Sequence, residues 1–444
     1  MRVGNPMYGK AGPRRLRWFR QARLGMFVHW GVYSVLGRGE QIIYRDIMPE
    51  AEYRPYAMRF KPPKDWARRL ARQAKAAGMK YVVLTTRHAD GYCLFDTAAD
   101  DFNAVKTGPG RDLVAEFAAA CRGAGLRVGF YYSLLNWRWR GYWSPERHPE
   151  DLPQMVAQVH TQVRELMSNY GKVDILWYDA GLLPGEGGHG MWGGRPIRGT
   201  TVAGFYRSRE LNAMVRRLQP GILINNRAGL PGDFGTPEQR ITPEGAGRPW
   251  EACMTINYAP GWGFLRGSTA NKTPGEVLFN LMDAVRMGGN FLLNVGPKGD
   301  GSLDRRERSI LKPLGKWLAK HGEAVYGTEP GAVCDFSEKR VQGPMFHYGM
   351  WTCRGRTGYL TLFYYPGETL VVSKIGPRIR SAVLLTTGRR LKVERTTNDR
   401  TLIRGLPRRP PDPLAAVVKV EFEGPPYGTA DLDSRWLAGD WKLP

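Results

Sequence analysis

The sequence predicts an α/β chain in which a (β/α)8-like (TIM-type) barrel over residues 1–335 is followed by an all-β sandwich domain over residues 336–444. Three observations carry that expectation. Apolar strand-like runs alternate with helical patterns through the first three quarters, the signature of parallel βα units. The runs are continuously apolar, as in strands buried on both faces, which favours a barrel or doubly wound sheet over an antiparallel sandwich. After about residue 335 the pattern changes to short alternating segments, such as GYLTLFYY, ETLVVSKI and AAVVKVEF, separated by Gly, Pro and Asn turns. A chain of 444 residues also exceeds the usual size of one hydrophobic core, so two domains are expected.

The strands of the first domain are expected at Gly25 to Ser34, Tyr81 to Thr86, Arg127 to Ser133, Asp174 to Asp179, Gly221 to Asn226, Ala252 to Asn257 and Asn290 to Val295. Helices fill the gaps. In PPKDWARRLARQAKAAGMK, the residues Trp66, Leu70, Ala74 and Ala77 recur at helical spacing and Gly78 stops the pattern. TPGEVLFNLMDAVRMGGN opens with Thr273 as N-cap and Glu276 three residues on, a capping box, and ends on Gly288 and Gly289. Phe279 and Met282 in that helix read as core packing.

No apolar run approaches the ~20 residues that a membrane span requires, so no membrane association is expected. The basic N-terminus has no apolar core or small-residue cleavage site, which points to the cytoplasm, or to the periplasm or exterior if a leader has been removed. Five scattered cysteines without any CxxC argue against a zinc site; buried free thiols are expected, with a Cys334–Cys353 pairing as the alternative in an exported protein. The formal charge is +24. Its arginines are dispersed and no nucleic-acid module accompanies them, so a solvated surface is the main reading and nucleic acid is not expected as a partner. Attraction to an anionic, for instance sulfated, glycan is the alternative.

Polar residues at the carboxyl ends of barrel strands face substrate. Here the first expected strand ends near His29, the second at Arg87-His88-Ala89-Asp90-Gly91, the third at Tyr131-Tyr132-Ser133 and the fourth at Trp177-Tyr178-Asp179. The fifth ends at Asn225-Asn226-Arg227 and is followed by GDFGTPEQR with Glu238; beyond the sixth lie Trp250, Glu251 and Trp262. Any one of these is more often a helix cap or a satisfied core residue. Together they place aromatic rings, histidines, an arginine and separated carboxylates on one face. Rings stack on pyranoses, His and Arg bind hydroxyls, and two carboxylates perform glycosidic displacement. No HExxH, GxSxG or Walker loop competes, and the glycines of PGEGGHGMWGG read as a loop.

At these residues the chain resembles glycoside hydrolase family 29, the α-L-fucosidases. WFRQARLGMFVHWGVYSV, AGMKYVVLTTRHADGYCLFDT, GLRVGFYYS, DILWYDAG, ILINNRAG, PWEACMTIN, WGF and GGNFLLNVGPKGDG fall in family order across residues 15 to 330. The resemblance implies a retaining exo-glycoside hydrolase that releases terminal L-fucose from a fucosylated glycan. It implies Asp179 as nucleophile, Glu238 as acid/base with Glu251 in reserve, and His29, Glu40, His88, Tyr132, Trp177, Arg227 and Trp262 as sugar-binding residues. The implied mechanism needs no metal or organic cofactor, and an oligomer is compatible with it. Glu238 is expected to be the less solvated carboxyl. The chain departs from the family in three places. Arg87-His88-Ala89 replaces Lys-His-His, Glu40-Gln41 replaces Glu-Trp, and Asn225-Asn226-Arg227 replaces Asn-Asp-Arg. Alanine at 89 is expected to leave space for a bulkier sugar, so hydrolysis of L-galactosides or substituted fucosides, or a degenerate sugar-binding role, stand as alternatives.

Overall fold

A computed structural model describes residues 14–179, 200–244, 247–258, 261–329, 348–373, 375–396 and 400–428. The glycine-rich segment 184–194, Cys334 and the irregular end after 428 lie outside the described residues. The chain divides into two compact units. One comprises the described residues of Ala11–Val277 and Gly289–Lys316, the other those of Leu278–Gly288 and Trp317–Pro444.

In the first unit the strands are β1 (Leu24–Val28), β2 (Tyr81–Arg87), β3 (Arg127–Ser133), β4 (Ile175–Asp179), β5 (Leu223–Ile224), β6 (Glu251–Thr255) and β7 (Asn290–Val295). They form one sheet in the order β5-β4-β3-β2-β1-β7-β6, with parallel pairing throughout. The outer strands β5 and β6 are not paired with each other. The segment between them makes isolated parallel bridges to both sides, Asn225 to Phe234 and Gly235 to Trp250, and then Glu238 to Cys253.

Side chains of alternate residues fill the inner face. Phe27, Tyr81, Val83, Tyr131, Ile175, Trp177, Leu223, Cys253 and Leu292 form one buried cluster. Gly25 belongs to this packing, because a Cβ there would lie 2.3 Å from the Tyr81 ring. The helix Trp66–Ala76 buries Trp66, Leu70 and Ala74 as its spacing predicts, and Gly78 follows at φ +86°. The helix Pro274–Arg286 opens with the predicted box: Glu276 N donates to Thr273 Oγ1 (3.2 Å) and Thr273 N to the Glu276 carboxylate (2.6 Å).

In the second unit the strands pair as one antiparallel sheet of seven. They are β8 (Gly349–Arg354), β9 (Thr357–Leu362), β10 (Thr369–Ser373), β12 (Ile379–Leu384), β13 (Arg389–Arg395), β14 (Arg400–Arg404) and β15 (Ala416–Phe422), in the order β10-β14-β13-β12-β15-β9-β8. A separate two-strand ladder joins β11 (Ile375–Gly376) to β16 (Tyr427–Gly428). Leu360, Leu370, Leu384, Ile403 and Val418, from five of the seven strands, share one core. No helix among the described residues is long and apolar enough to cross a membrane. Cys93, Cys121 and Cys253 are buried free thiols.

Candidate active site

Period-two alternation aims the site. Moving two residues past Phe27, Trp177 and Leu292 in the inner cluster reaches His29, Asp179 and Asn294, so all three emerge on the same face at the carboxyl end of the sheet. β3 contributes Tyr131, whose Cα partner on β4 is Trp177; cross-strand partners share a face. Tyr131 is the hub. Its ring stacks on His88 (5.8 Å, 6°) and on Trp177 (5.8 Å, 19°) and meets His29 edge-on at 5.5 Å.

Tyr132, expected to bind sugar, points the other way. It is fully buried, accepts a hydrogen bond from Arg87 Nη1 (2.7 Å) and donates to Gln162 of the helix Asp151–Asn169 (2.7 Å). A register shift between Thr85 and Arg87 explains both assignments. The extra residue in β2 turns Arg87 outward opposite Tyr132, so His88 comes inward onto Tyr131. The ring beside the nucleophile candidate is therefore Tyr131.

Asp179 ends β4 and is held at both oxygens, Oδ1 by Arg227 Nη1 (3.1 Å) and Oδ2 by the Tyr131 hydroxyl (2.8 Å). Burial, then the Asp179 charge, holds the Tyr131 hydroxyl well above its ordinary pKa, so it stays protonated and donates. Arg227 is fixed in turn: Nε donates to Thr236 Oγ1 (3.0 Å), Nη2 to Glu238 Oε2 (2.7 Å), and its guanidinium lies 4.7 Å from the Trp177 ring centre. Trp177 itself is in the core and supports the site from beneath. One guanidinium thus bridges the two expected catalytic carboxylates. Glu238 sits on the segment that runs beside β6, with Cys253 N donating to Pro237 O (3.1 Å) and Gln239 N to Cys253 O (2.9 Å). Its side chain is 41% exposed against 29% for Asp179, so the expectation of a poorly solvated Glu238 is not met.

The histidine wall has a defined protonation. Asn294 Nδ2 donates to Trp262 O (2.7 Å), which leaves its Oδ1 to accept from His29 Nδ1 at 2.7 Å. Burial, then the neighbouring His88, pushes the His29 pKa well down, so the ring is neutral and presents Nε2 as an acceptor. Asn294 is a positioning residue that the strand pattern contained as a lone polar residue in an apolar run. Trp262 packs against His29 at 5.1 Å, and its backbone N–H, like that of Gly263, donates to Glu40 Oε2 (2.7 and 2.8 Å). Glu40 Oε1 and His88 Nδ1 are buried without a hydrogen-bond partner in the described structure. Such atoms are capacity for ligand hydroxyls.

Glu251 is placed differently. It opens β6 rather than ending it, is completely buried, and accepts from Trp177 Nε1 (3.2 Å) and from the Tyr81 hydroxyl. Burial raises its pKa from 4.5 to about 7. The folded state therefore holds a proton that the unfolded chain releases. The stabilising share is complete below pH 4.5 and is lost as pH rises through about 7. Glu251→Gln is expected to flatten the fall of Tm over that window, leaving the part due to Glu307, likewise raised to about 7 by burial. An unchanged Tm-versus-pH curve would contradict the buried proton.

The space expected at Ala89 is filled. Ala89 is 4% exposed and packs with Leu135, Trp137, Tyr142 and Met155, while Trp137 N donates to Ala89 O (2.8 Å) and its indole meets His88 at 5.9 Å. Gln41 turns to Arg45, whose Nε donates to it at 2.8 Å. Ala89→His is accordingly expected to overpack this cluster and cost about 1–3 kcal/mol, measurable by urea unfolding. A variant as stable as the parent would show a void at that position.

The family model described as alpha-L-fucosidase matches residues 11–323. The tissue alpha-L-fucosidase of Rattus norvegicus is 30% identical over 404 residues, covering 83% of this chain and 80% of the relative. Among solved structures, alpha-L-fucosidase isoenzyme 1 from Paenibacillus thiaminolyticus superposes with TM-score 0.79 at 32% identity, covering 92% of this chain and 99% of the other. A Bacteroides thetaiotaomicron alpha-L-fucosidase, solved as a trapped covalent intermediate with 2-fluoro-fucosyl fluoride, gives TM-score 0.78 at 28% identity over 93% of this chain and 97% of the other.

Proposed function

The chain belongs to the α-L-fucosidase family, and on that premise we propose that it is a retaining exo-glycoside hydrolase releasing terminal L-fucose from fucosylated glycans. The observation that carries the catalytic reading is the single Arg227 guanidinium holding Asp179 and Glu238 on adjacent nitrogens. Two carboxylates kept close together suit double displacement better than the wider pair, ~6.5–9.5 Å apart, that an inverting enzyme needs to admit water.

In the first step Asp179 Oδ attacks the anomeric carbon as the bond to the leaving oxygen breaks, and Glu238 gives that oxygen its proton. In the second, Glu238 takes a proton from water, whose oxygen displaces Asp179 and restores the original configuration. Tyr131 and Arg227 orient the nucleophile. Exposure of Glu238 lets its carboxyl leave Arg227 for the glycosidic oxygen. His29 Nε2, Glu40 Oε1 and His88 are the hydroxyl-binding groups, and Trp262 is the stacking wall. All of them come from the parallel unit, within the 1–335 domain read from the sequence. We take the 233–239 segment as the irregular eighth stave that completes a barrel, and the β unit as a companion that supplies no catalytic group. An anionic glycan is the finer substrate reading.

Proton NMR of aryl α-L-fucoside hydrolysis at early times is expected to show α-L-fucose first. Initial β-product would overturn double displacement, and no turnover of any fucoside would overturn the hydrolase reading.

A further inference from the structure

The parallel unit carries a second depression that the proposed chemistry does not use. A cleft of about 450 Å³ is lined by five cationic side chains, Arg59, Lys61, Arg266, Lys298 and Arg306, against two carboxylates, Asp300 and Asp304. The carboxylates are engaged locally. Asp304 pairs with Arg306 (3.1 Å), and Asp300 accepts from Ser302 N and Oγ (2.9 and 2.6 Å). Among the described residues no ion pair is formed by Arg59, Lys61, Arg266 or Lys298. With Asp304 matched to Arg306 and the Asp300 charge set against Lys298 nearby, the lining still carries an excess of positive charge, which focuses a positive field into the concavity that an anion relieves.

Its position relates it to the sugar site. The cleft takes Ser34 and Val35 from the segment after β1, Phe264 and Arg266 from the loop after β6, and Lys298 from the loop after β7. These are the same strand ends that present His29 and Asn294. The loop after β6 serves both sites: Trp262 packs on His29, and Phe264, two residues on, lines the cleft. That loop is held firmly. Glu40 binds the N–H groups of Trp262 and Gly263, Gly39 N donates to Phe264 O (3.1 Å), and Arg266 N donates to Gly37 O (2.7 Å). It acts as a fixed partition with the sugar site on one side and the cationic cleft on the other.

We propose that this cleft binds an anionic substituent, a sulfate ester or a carboxylate, carried by the glycan whose terminal sugar occupies the Asp179 site. The proposal rests on the hydrolase reading above. Arginine forks and lysine ammonium groups suit both anions, since each presents at least two terminal anionic oxygens to charge-assisted hydrogen bonds. The dispersed +24 charge then has one local use, drawing an acidic polymer toward the rim.

The test uses the full chain and three fucosyl oligosaccharides that differ only in the residue next to fucose, which is neutral, sulfated or a uronic acid. Wild type is expected to prefer an anionic one by about tenfold or more in kcat/KM at low salt, the scale of one charge-assisted hydrogen bond. The preference is expected to shrink in about 0.5 M salt, where charge interactions are screened beyond roughly 4 Å. In the double variant Arg266→Ala, Lys298→Ala it should vanish while aryl α-L-fucoside turnover is unchanged. Preference for the sulfated compound alone assigns a sulfate site, and for the uronate alone a carboxylate site. Equal kcat/KM for all three, or a preference that survives the double variant, overturns the cleft. Calorimetric Kd values for the same compounds on the Asp179→Gly chain, which binds without turning them over, read the cleft directly: equal values refute it, whereas failure of the parent to hydrolyse the aryl fucoside refutes the hydrolase reading separately.

Discussion

Asp179→Gly is expected to lower kcat on aryl α-L-fucoside on the order of 10³–10⁵-fold, as loss of a covalent nucleophile does, and to leave the fold intact. The fold should survive because Asp179 is 29% exposed at a strand end, and because Arg227 keeps Glu238 and Thr236 as partners when Asp179 is gone. Glycine removes the carboxylate and opens a space beside the Tyr131 hydroxyl. Azide can enter that space, attack the anomeric carbon from the face Asp179 used, and expel an activated leaving group. Rescue should therefore yield the β-L-fucosyl azide, of inverted configuration, with unchanged circular dichroism. Near-parental turnover in Asp179→Gly, or rescue that gives the α-azide, would remove Asp179 from the nucleophile's role.

Much of this candidate site was legible because a parallel sheet presents polar groups at its strand ends, and strands buried on both faces stand out as apolar runs. β3 and β7 have the expected bounds, and β2 and β4 differ by one residue. What the run of residues alone does not give is the parity of each strand. Tyr131 and Tyr132 are adjacent and chemically identical, and a bulge in the neighbouring strand decides which partner faces in. The composition of β2 does not reveal that bulge. β5 is the extreme case. Only Leu223–Ile224 pair, because the chain leaves the ladder at Asn225, whose side chain bonds Tyr178 N and O in place of backbone (3.0 and 2.8 Å).

The departures from the family show a second limit. A small residue in a motif suggests a cavity, yet Ala89 is covered by Trp137, which lies forty-eight positions away in sequence and arrives from the loop after β3. Packing compensations of this kind are tertiary facts. Glu251 illustrates the converse. A carboxylate beside a strand looks catalytic in one dimension, but its place at the start of β6 buries it among Tyr81, Trp177 and Asn290, on the side of the sheet away from Asp179's end.

That contrast between two glutamates sets the remaining prediction. Glu238→Ala removes a group needed only when the leaving oxygen requires a proton, so its cost should depend on the leaving group. Fucosyl disaccharides are expected to lose about 10²–10⁴-fold in kcat/KM, the usual range for general acid catalysis. An aryl fucoside with a strongly acidic phenol should lose far less, because its oxygen departs as the phenolate. Glu251→Gln should show no such split, since among the described residues its carboxyl bonds only Tyr81 and Trp177, and it is wholly buried. Loss of Glu238 also frees one guanidinium edge of Arg227, whose other bonds to Asp179 and Thr236 keep it in place, so the nucleophile remains oriented. The measurement is the slope of log kcat/KM against phenol pKa for parent and both variants. A steepened slope in Glu238→Ala alone assigns the acid/base to Glu238. The same steepening in Glu251→Gln, with Glu238→Ala parallel to the parent, would exchange the two roles and require the interior of the parallel unit to open during the reaction.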